Sequence, residues 1–283
     1  MNIDSYSHPV NQLFNYPPGT DNLSPAEWPD YQELGITALD IPELICMVTD
    51  ESLYNLDDHD YAVFGKDSLL EYAPLHAIRV LGQLRAETAI EPLISLFPKT
   101  YNFKSDALYG FFDELTDVLS LIGLPVIPAI TAYLADPSHD ENSQSQAIYT
   151  LKKLAFVYPE HHADCVSILF RHLKSFEENS PEFNAHLISA LSDLKAIDSL
   201  PIIEQAFEAG CVDDDFLDWD DVQVKFGLKS SADVQSQSLE SLLYHHIPKI
   251  LSNRPTVNDN ERLKKAQQKR QARRKRNSRN RVK

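Results

Sequence analysis

Between Tyr72 and Phe207 a two-part apolar pattern occurs four times, and it restricts the possible folds more than any other feature. In the first copy Ala77, Ile78, Leu81 and Leu84 share one face at helical spacing. A short break, Arg85-Ala86-Glu87-Thr88, leads into a second amphipathic stretch from Ala89 to Phe97. The pattern returns as Leu115, Val118, Leu119 and Ile122 followed by Val126 to Leu134. It returns again as Ala147, Ile148, Leu151 and Leu154 before Cys165 to Leu169, and as Leu187, Ile188, Leu191 and Leu194 before Leu200 to Ile203. Landmark residues in the second parts, Pro92, Pro128, Ile168 and Pro201, stand 36, 40 and 33 residues apart. A recurrence of that length predicts stacked helical pairs, each burying its apolar face against its neighbours. Proline near the start of a helix costs little, because first-turn amides have no intrahelical partner.

The flanks are less regular. Residues 1–23, with Pro9, Pro17 and Pro18, show no helical period and are expected to be an extended or disordered lead-in. Ser24-Pro25-Ala26-Glu27 has the composition of a capped helix start, with Gly35 as its stop. Asp40-Ile41-Pro42-Glu43 predicts a second start, its helix running to about Asn55. Past Phe207, a short helical turn is expected through Val222, Val224 and Phe226, and a further helix from Ser238 to Leu251. The expectation is an all-α chain: a right-handed α-solenoid of about four to five helical pairs. Residues 24–228 form the repeat domain with N-terminal capping helices, 229–251 a C-terminal capping helix, and 252–283 a basic, disordered tail. The concave face made by the second helices is the default binding surface.

Composition removes several classes. Only 8 glycines argues against an all-β barrel or sandwich and against a glycine-rich nucleotide fold. Cys46, Cys165 and Cys211 lie far apart, without a CxxC or Cys/His cluster, so neither a disulfide framework nor a zinc module is expected. The start lacks a basic and apolar leader. The longest mostly apolar stretch, Val118 to Ile130, contains two prolines and falls short of the roughly 20 residues a bilayer span requires. A soluble, cytoplasmic protein with no membrane partner is expected.

The net charge of −16 conceals a division. Arg262 to Lys283 carries 12 of the 26 basic residues and no acid, leaving 14 basic against 42 acidic residues in the body. An acidic body with a basic arm points to interaction rather than chemistry.

The segments Asp40-Ile41-Pro42-Glu43-Leu44-Ile45, Tyr72 to Leu84, Ala89-Ile90-Glu91-Pro92-Leu93 and Trp219-Asp220-Asp221-Val222-Gln223 carry a resemblance. The pairs resemble HEAT-like repeats of the kind also found in phycobilisome-lyase-type proteins. Over roughly residues 37–228 the chain more closely resembles a family of uncharacterised bacterial HEAT-like proteins. That resemblance implies a HEAT-like α-solenoid and no particular activity.

The candidate sites follow from charge. Asp213, Asp214, Asp215, Asp218, Asp220 and Asp221 put six aspartates within nine positions around Trp219. An EF-hand would need glycine at the sixth place and glutamate at the twelfth, where Asp218 and Val224 stand, so the run reads as a solvated acidic loop or partner-binding surface. Trp219 either pins that loop to the last repeat or anchors a contact. His161 and His162 are adjacent and converge poorly on one ion, and a loop placement after Pro159 is expected; of His245 and His246 before Pro248, one is expected to face the helix packing and one water. His76, with Arg79 three residues later, reads as a satisfied structural histidine. No catalytic signature or nucleotide fingerprint is present, and no enzyme activity, cofactor or metal is expected. The tail residues Lys264, Lys265, Lys269, Arg270, Arg273, Arg274, Lys275 and Arg276 suit three roles: nucleic-acid phosphates, the acidic body, or solvent alone. The leading expectation is a non-catalytic scaffold or adaptor with a protein partner. The alternative is a nucleic-acid- or ribosome-associated protein tethered by its tail, and phycobilin-lyase-like chromophore chaperoning is a minor third.

Overall fold

The periodic segments are helices, and local chemistry sets where they begin. In a computed structural model residues 5–16, 23–54, 69–99 and 111–230 are described, and among them every regular element is an α- or 3₁₀-helix. α1 (Ile41–Thr49) starts behind a capping box in which Thr37 and Asp40 satisfy each other's backbone amides. Prolines occupy the first turn of α1, of α2 (Ala73–Gln83), and of α8 (Pro181–Asp193) and α9 (Leu200–Glu208), where no amide bond is lost. Between these lie α3 (Ile90–Ile94), α4 (Phe111–Ile122), α5 (Val126–Ala135), α6 (Glu141–Val157) and α7 (His162–Leu173). α10 (Trp219–Phe226) follows α9. The side chains of Asp140, Ser180 and Asp218 cap α6, α8 and α10.

The four copies correspond to the successive pairs α2/α3, α4/α5, α6/α7 and α8/α9, and each landmark residue falls in the second helix of its pair. The chain divides into two compact units, Met1–His172 and Leu173–Lys283. In the first, α2 packs between α1 and α4, and α4 packs between α2 and α6. The second helices α3 and α5 also touch. The core is the apolar stripe expected from the periodicity: Ala77, Ile78 and Leu81, Leu115, Val118 and Leu119, then Ala147, Ile148 and Leu151, all fully buried. In the second unit α8 packs on α10, with Leu187, Ile188, Leu191 and Val222 in the core.

One turn recurs in both units. Arg85 (φ 49) and Lys195 (φ 55) follow α2 and α8 in the left-handed region. The next amides reach back, Ala86 to the Leu81 carbonyl and Ala196 to that of Leu191, both at 3.0 Å. This is the Schellman closure, normally completed by glycine because a Cβ strains it. Arg85 is exposed. Arg85→Gly is therefore expected to stabilise the protein by about 0.5–1 kcal/mol, read as a raised urea midpoint with unchanged slope. No gain would mean that the arginine side chain contributes as much as its backbone costs.

Four sequence expectations are corrected. Val10–Asn15, inside the expected extended lead-in, is a 3₁₀-helix burying Val10, Leu13 and Phe14, which stand at helical spacing over a stretch too short to show a period. Glu27 accepts from both the amide and the hydroxyl of Ser24, so the serine hydroxyl donates instead of capping an amide; the two close a turn, and the helical element before Gly35 is the 3₁₀-helix Tyr31–Leu34. α1 ends at Thr49, where Asp50 turns extended and caps a short 3₁₀-helix, rather than near Asn55. His161 and His162 sit at a helix start, His162 opening α7, rather than in a loop. The expected helix from Ser238 to Leu251 and the basic tail lie outside the described residues.

Candidate functional site

The acidic segment enters the second unit from a buried anchor. Asn184 on α8 is wholly buried; its amide nitrogen donates to the carbonyls of Phe176 and Cys211, each at 2.8 Å, and its oxygen accepts from Asn179. Two residues on, the Asp213 amide donates to the Pro181 carbonyl at 3.0 Å. The Asp213 carboxylate accepts from the Asp215 amide (3.1 Å) and its carbonyl from the Leu217 amide (3.1 Å), folding the run into a tight loop. Cys211, Val212 and Leu217 are buried beneath it. The loop tip presents Asp214, Asp215 and Phe216 to solvent, with Phe216 48% exposed and its ring 4.6 Å from that of His186.

The second half of the acidic run is a helix N-terminus. Asp218 caps α10 by accepting from the Asp221 amide at 2.7 Å, and Asp220 and Asp221 occupy the first turn, where the helix dipole favours negative charge. Asp220 also pairs with Lys229 at 2.8 Å. Trp219 packs edge-on against Phe207 of α9, centroids 5.5 Å apart, so it pins the segment to the helix before it. In sequence the run reads as one acidic loop. The signal for the helix start is the Asp-x-x-Asp spacing from Asp218 to Asp221 ahead of Val222. Among the described residues no group of three or more His, Cys, Asp or Glu side chains is placed to hold a metal ion.

A second polar concentration lies buried in the first unit. Arg79 of α2, 1% exposed, makes a bidentate pair with Glu114 of α4, 5% exposed, with both contacts at 2.6 Å. Burial disfavours the guanidinium charge, but the bonds to Glu114 and to the Tyr31 hydroxyl outweigh it and raise the Arg79 pKa. The Tyr31 hydroxyl meets His76 Nδ1 at 2.6 Å, and burial pushes the Tyr31 pKa up to about 12. Burial first, then the nearby Arg79 charge, lowers His76 to about 4, so the ring is neutral near pH 7. His76 Nε2 is buried with no hydrogen-bond partner, so the histidine is structural, as the sequence implied, but only half satisfied. Trp28 stacks under Arg79 at 5.6 Å, and the Tyr16 ring lies 5.2 Å from that of His76.

Among the described residues His161 pairs with exposed Asp164, at 3.1 Å. Lys264, Lys265, Lys269, Arg270, Arg273, Arg274, Lys275 and Arg276, and His245 and His246, lie outside the described residues.

A family model described as "Protein of unknown function (DUF1186)" matches residues 38–255. The chain belongs to this family. No curated protein and no solved structure matches it. The DUF1186 region takes in every helix from α1 to α10, the whole acidic segment and the Arg79–Glu114 pair. It leaves out Tyr16, Trp28 and Tyr31, so the aromatic cover of His76 and Arg79 comes from a segment ahead of the family match. Among the described residues no helix is long and apolar enough to cross a membrane.

Sequence reasoning missed the Arg79–Glu114 pair because its partners are 35 residues apart and Glu114 stands in an unremarkable amphipathic stretch. A usable signal was present on α2. His76, Arg79 and Gln83 recur at helical spacing as a polar stripe, on a helix whose residues from Ala73 to Gly82 are all buried.

Proposed function

We propose that this DUF1186 protein is a non-catalytic scaffold or adaptor of the cytoplasm, a HEAT-like α-solenoid that binds a basic protein partner through its acidic surface. The observation that carries the reading is the loop tip: Asp214, Asp215 and Phe216 are exposed together on a backbone fixed at both ends by Asn184, Pro181 and the α10 cap. Two carboxylates beside a half-exposed aromatic ring supply charge complementarity and an apolar anchor, and a fixed backbone limits the ordering cost of binding. The four helical pairs and their 33–40-residue recurrence support the repeat architecture. A formal excess of 28 negative charges over the chain before Arg262 supports a basic partner.

The test compares capture of cellular partners by full-length protein, by a chain ending at Leu251, and by the triple substitution Asp214→Asn/Asp215→Asn/Phe216→Ser, each with and without nuclease. The expected result is a protein partner that survives nuclease and tail removal and is lost about tenfold or more with the triple substitution. Partners that leave with the tail or with nuclease, and ignore the triple substitution, would replace this reading with the second one. In that reading the twelve basic residues from Arg262 onward tether the protein to nucleic acid or to ribosomes, with steep salt dependence.

A further inference from the structure

Residues 23–36 reach the DUF1186 region from outside it and hold on through α2. Trp28 lies against Arg79. Gln83 donates to the Pro29 carbonyl at 2.7 Å and accepts from the Tyr31 amide at 3.4 Å, and Tyr31 meets His76. Trp28, Tyr31 and Ile36 are buried. We propose that His76 is an acid-sensitive latch for this N-terminal strap: the neutral ring keeps Tyr31 seated on α2, and protonation releases residues 23–36 while α1 to α6 stay folded.

The closed geometry disfavours a second proton on the ring. Arg79 bonds the Tyr31 hydroxyl oxygen, so the hydroxyl's own hydrogen is directed at His76 Nδ1, which accepts it. Imidazolium carries hydrogens on both nitrogens. Its Nδ1–H would confront the Tyr31 hydrogen and force the hydroxyl to turn, while Nε2 is buried without a hydrogen-bond partner in the closed arrangement. A like charge, Arg79, stands one turn further along the helix. The only opposing influence on the ring is the Tyr16 backbone, which favours the protonated form. Glu114, the anion nearest this network, is already committed to Arg79 through both oxygens. On α1, Glu43 is taken up by Ser7; the turn Val10–Asn15 carries no titratable side chain; Glu71 and Tyr72 stand in the 3₁₀ turn leading into α2. Residues 5–16 have attachments of their own, Tyr6 to Asp50 and Ser7 to Glu43, and they meet the latch where Tyr16 lies against His76 and Tyr31 and where Gln12 donates to the Leu34 carbonyl at 2.9 Å.

The sign follows from linkage. A histidine held at about 4 in the closed state keeps the strap closed near neutral pH and loosens it as pH falls toward 4; Arg79 stays beside the released ring, so the ordinary value of 6.5 is the upper limit for the open state. The opening constant therefore rises by up to about 30-fold between about pH 7.5 and about pH 5. This inference is independent of the partner-binding reading.

Amide hydrogen exchange on the full chain, corrected for the intrinsic pH dependence of exchange, reads strap and core separately. The protected strap amides are Glu33, bonded to Asp30, and Gly35, bonded to Gln32. Their opening is expected to rise by at least about fivefold and up to about 30-fold between about pH 7.5 and about pH 5, while Val118 and Leu119 in α4 keep their protection. His76→Gln retains an amide oxygen that can accept from Tyr31 but cannot titrate, so its strap should respond less than about threefold. Should that variant fail to fold, Tyr31→Phe removes the bond and keeps the ring. Its strap is then expected to be open at both pH values with α4 still protected. A rise shared by α4, no rise at all, or an undiminished response in His76→Gln would each overturn the latch.

Discussion

Glu114→Ala is expected to destabilise the first unit by about 3–5 kcal/mol, the loss typical when one partner of a buried ion pair is removed. The Arg79 guanidinium would remain 1% exposed and charged, because it cannot shed its proton near neutral pH. Arg79→Met is expected to cost less, and less still in acid, because a stranded carboxyl can become neutral by taking up a proton. The double substitution Arg79→Met/Glu114→Leu should recover most of the loss, since apolar replacement of a whole buried pair is often neutral or stabilising. Urea unfolding of the four proteins, followed by circular dichroism, measures the cycle. Single losses below about 1 kcal/mol would mean that water reaches the pair and that it behaves as a surface salt bridge.

The pair also depends on how closely α2 and α4 approach. Gly82 stands three residues beyond Arg79, and a Cβ there would come within 3.3 Å of the Val118 backbone and of the Leu121 side chain. Without a side chain at this position the two helices come close enough for Arg79 to span them and meet Glu114 at both oxygens. The same contact places Val118 and Leu119 in the core stripe, so core packing and the polar bridge share one geometric cause.

Much of this was legible in the chain. The apolar stripe of each first helix and the landmark prolines follow from local patterns that a sequence displays directly. The α1 start at Asp40-Ile41-Pro42 and the α10 helix through Val222 are of the same kind, whereas the αL turns at Arg85 and Lys195 carry no glycine to announce them. What escaped depends on distance along the chain. Tyr31 and His76 are 45 residues apart, and nothing in either neighbourhood names the other. The segment before Ser24 reads as a lead-in because its prolines and a single short turn show no sustained period, yet Leu13 is fully buried. The acidic run was legible as charge but not as structure, because six aspartates hide the one at 218 that caps a helix and the one at 213 that closes a turn.

That dependence of the acidic segment on buried neighbours gives the second large effect. Asn184→Leu keeps most of the volume and removes every polar bond of the side chain. The carbonyls of Phe176 and Cys211 lose the nitrogen that donates to both, and the Asn179 amide loses an acceptor. Unsatisfied buried groups cost about 1–3 kcal/mol each, and partial rehydration of the loop returns some of that, so a loss of about 2–4 kcal/mol in the second unit is expected. Asn184→Asp sharpens the test. It preserves the acceptor for Asn179 but points a carboxylate at two carbonyl oxygens, which raises its pKa in the folded state. A raised carboxyl pKa makes the variant least stable above that pKa and lets it recover as the pH falls and a hydroxyl donor reappears. Trp219 reports the result locally, because its ring packs on Phe207 at the far end of the same segment. With Trp28→Phe as background, its fluorescence should shift toward that of a solvated indole in both variants at neutral pH, and return only for Asn184→Asp in acid. An unchanged spectrum with undiminished stability would mean that the loop is held by the Asp213–Pro181 bond and the α10 cap alone. The exposed tip at Asp214, Asp215 and Phe216 would then owe its shape to backbone contacts rather than to the buried amide.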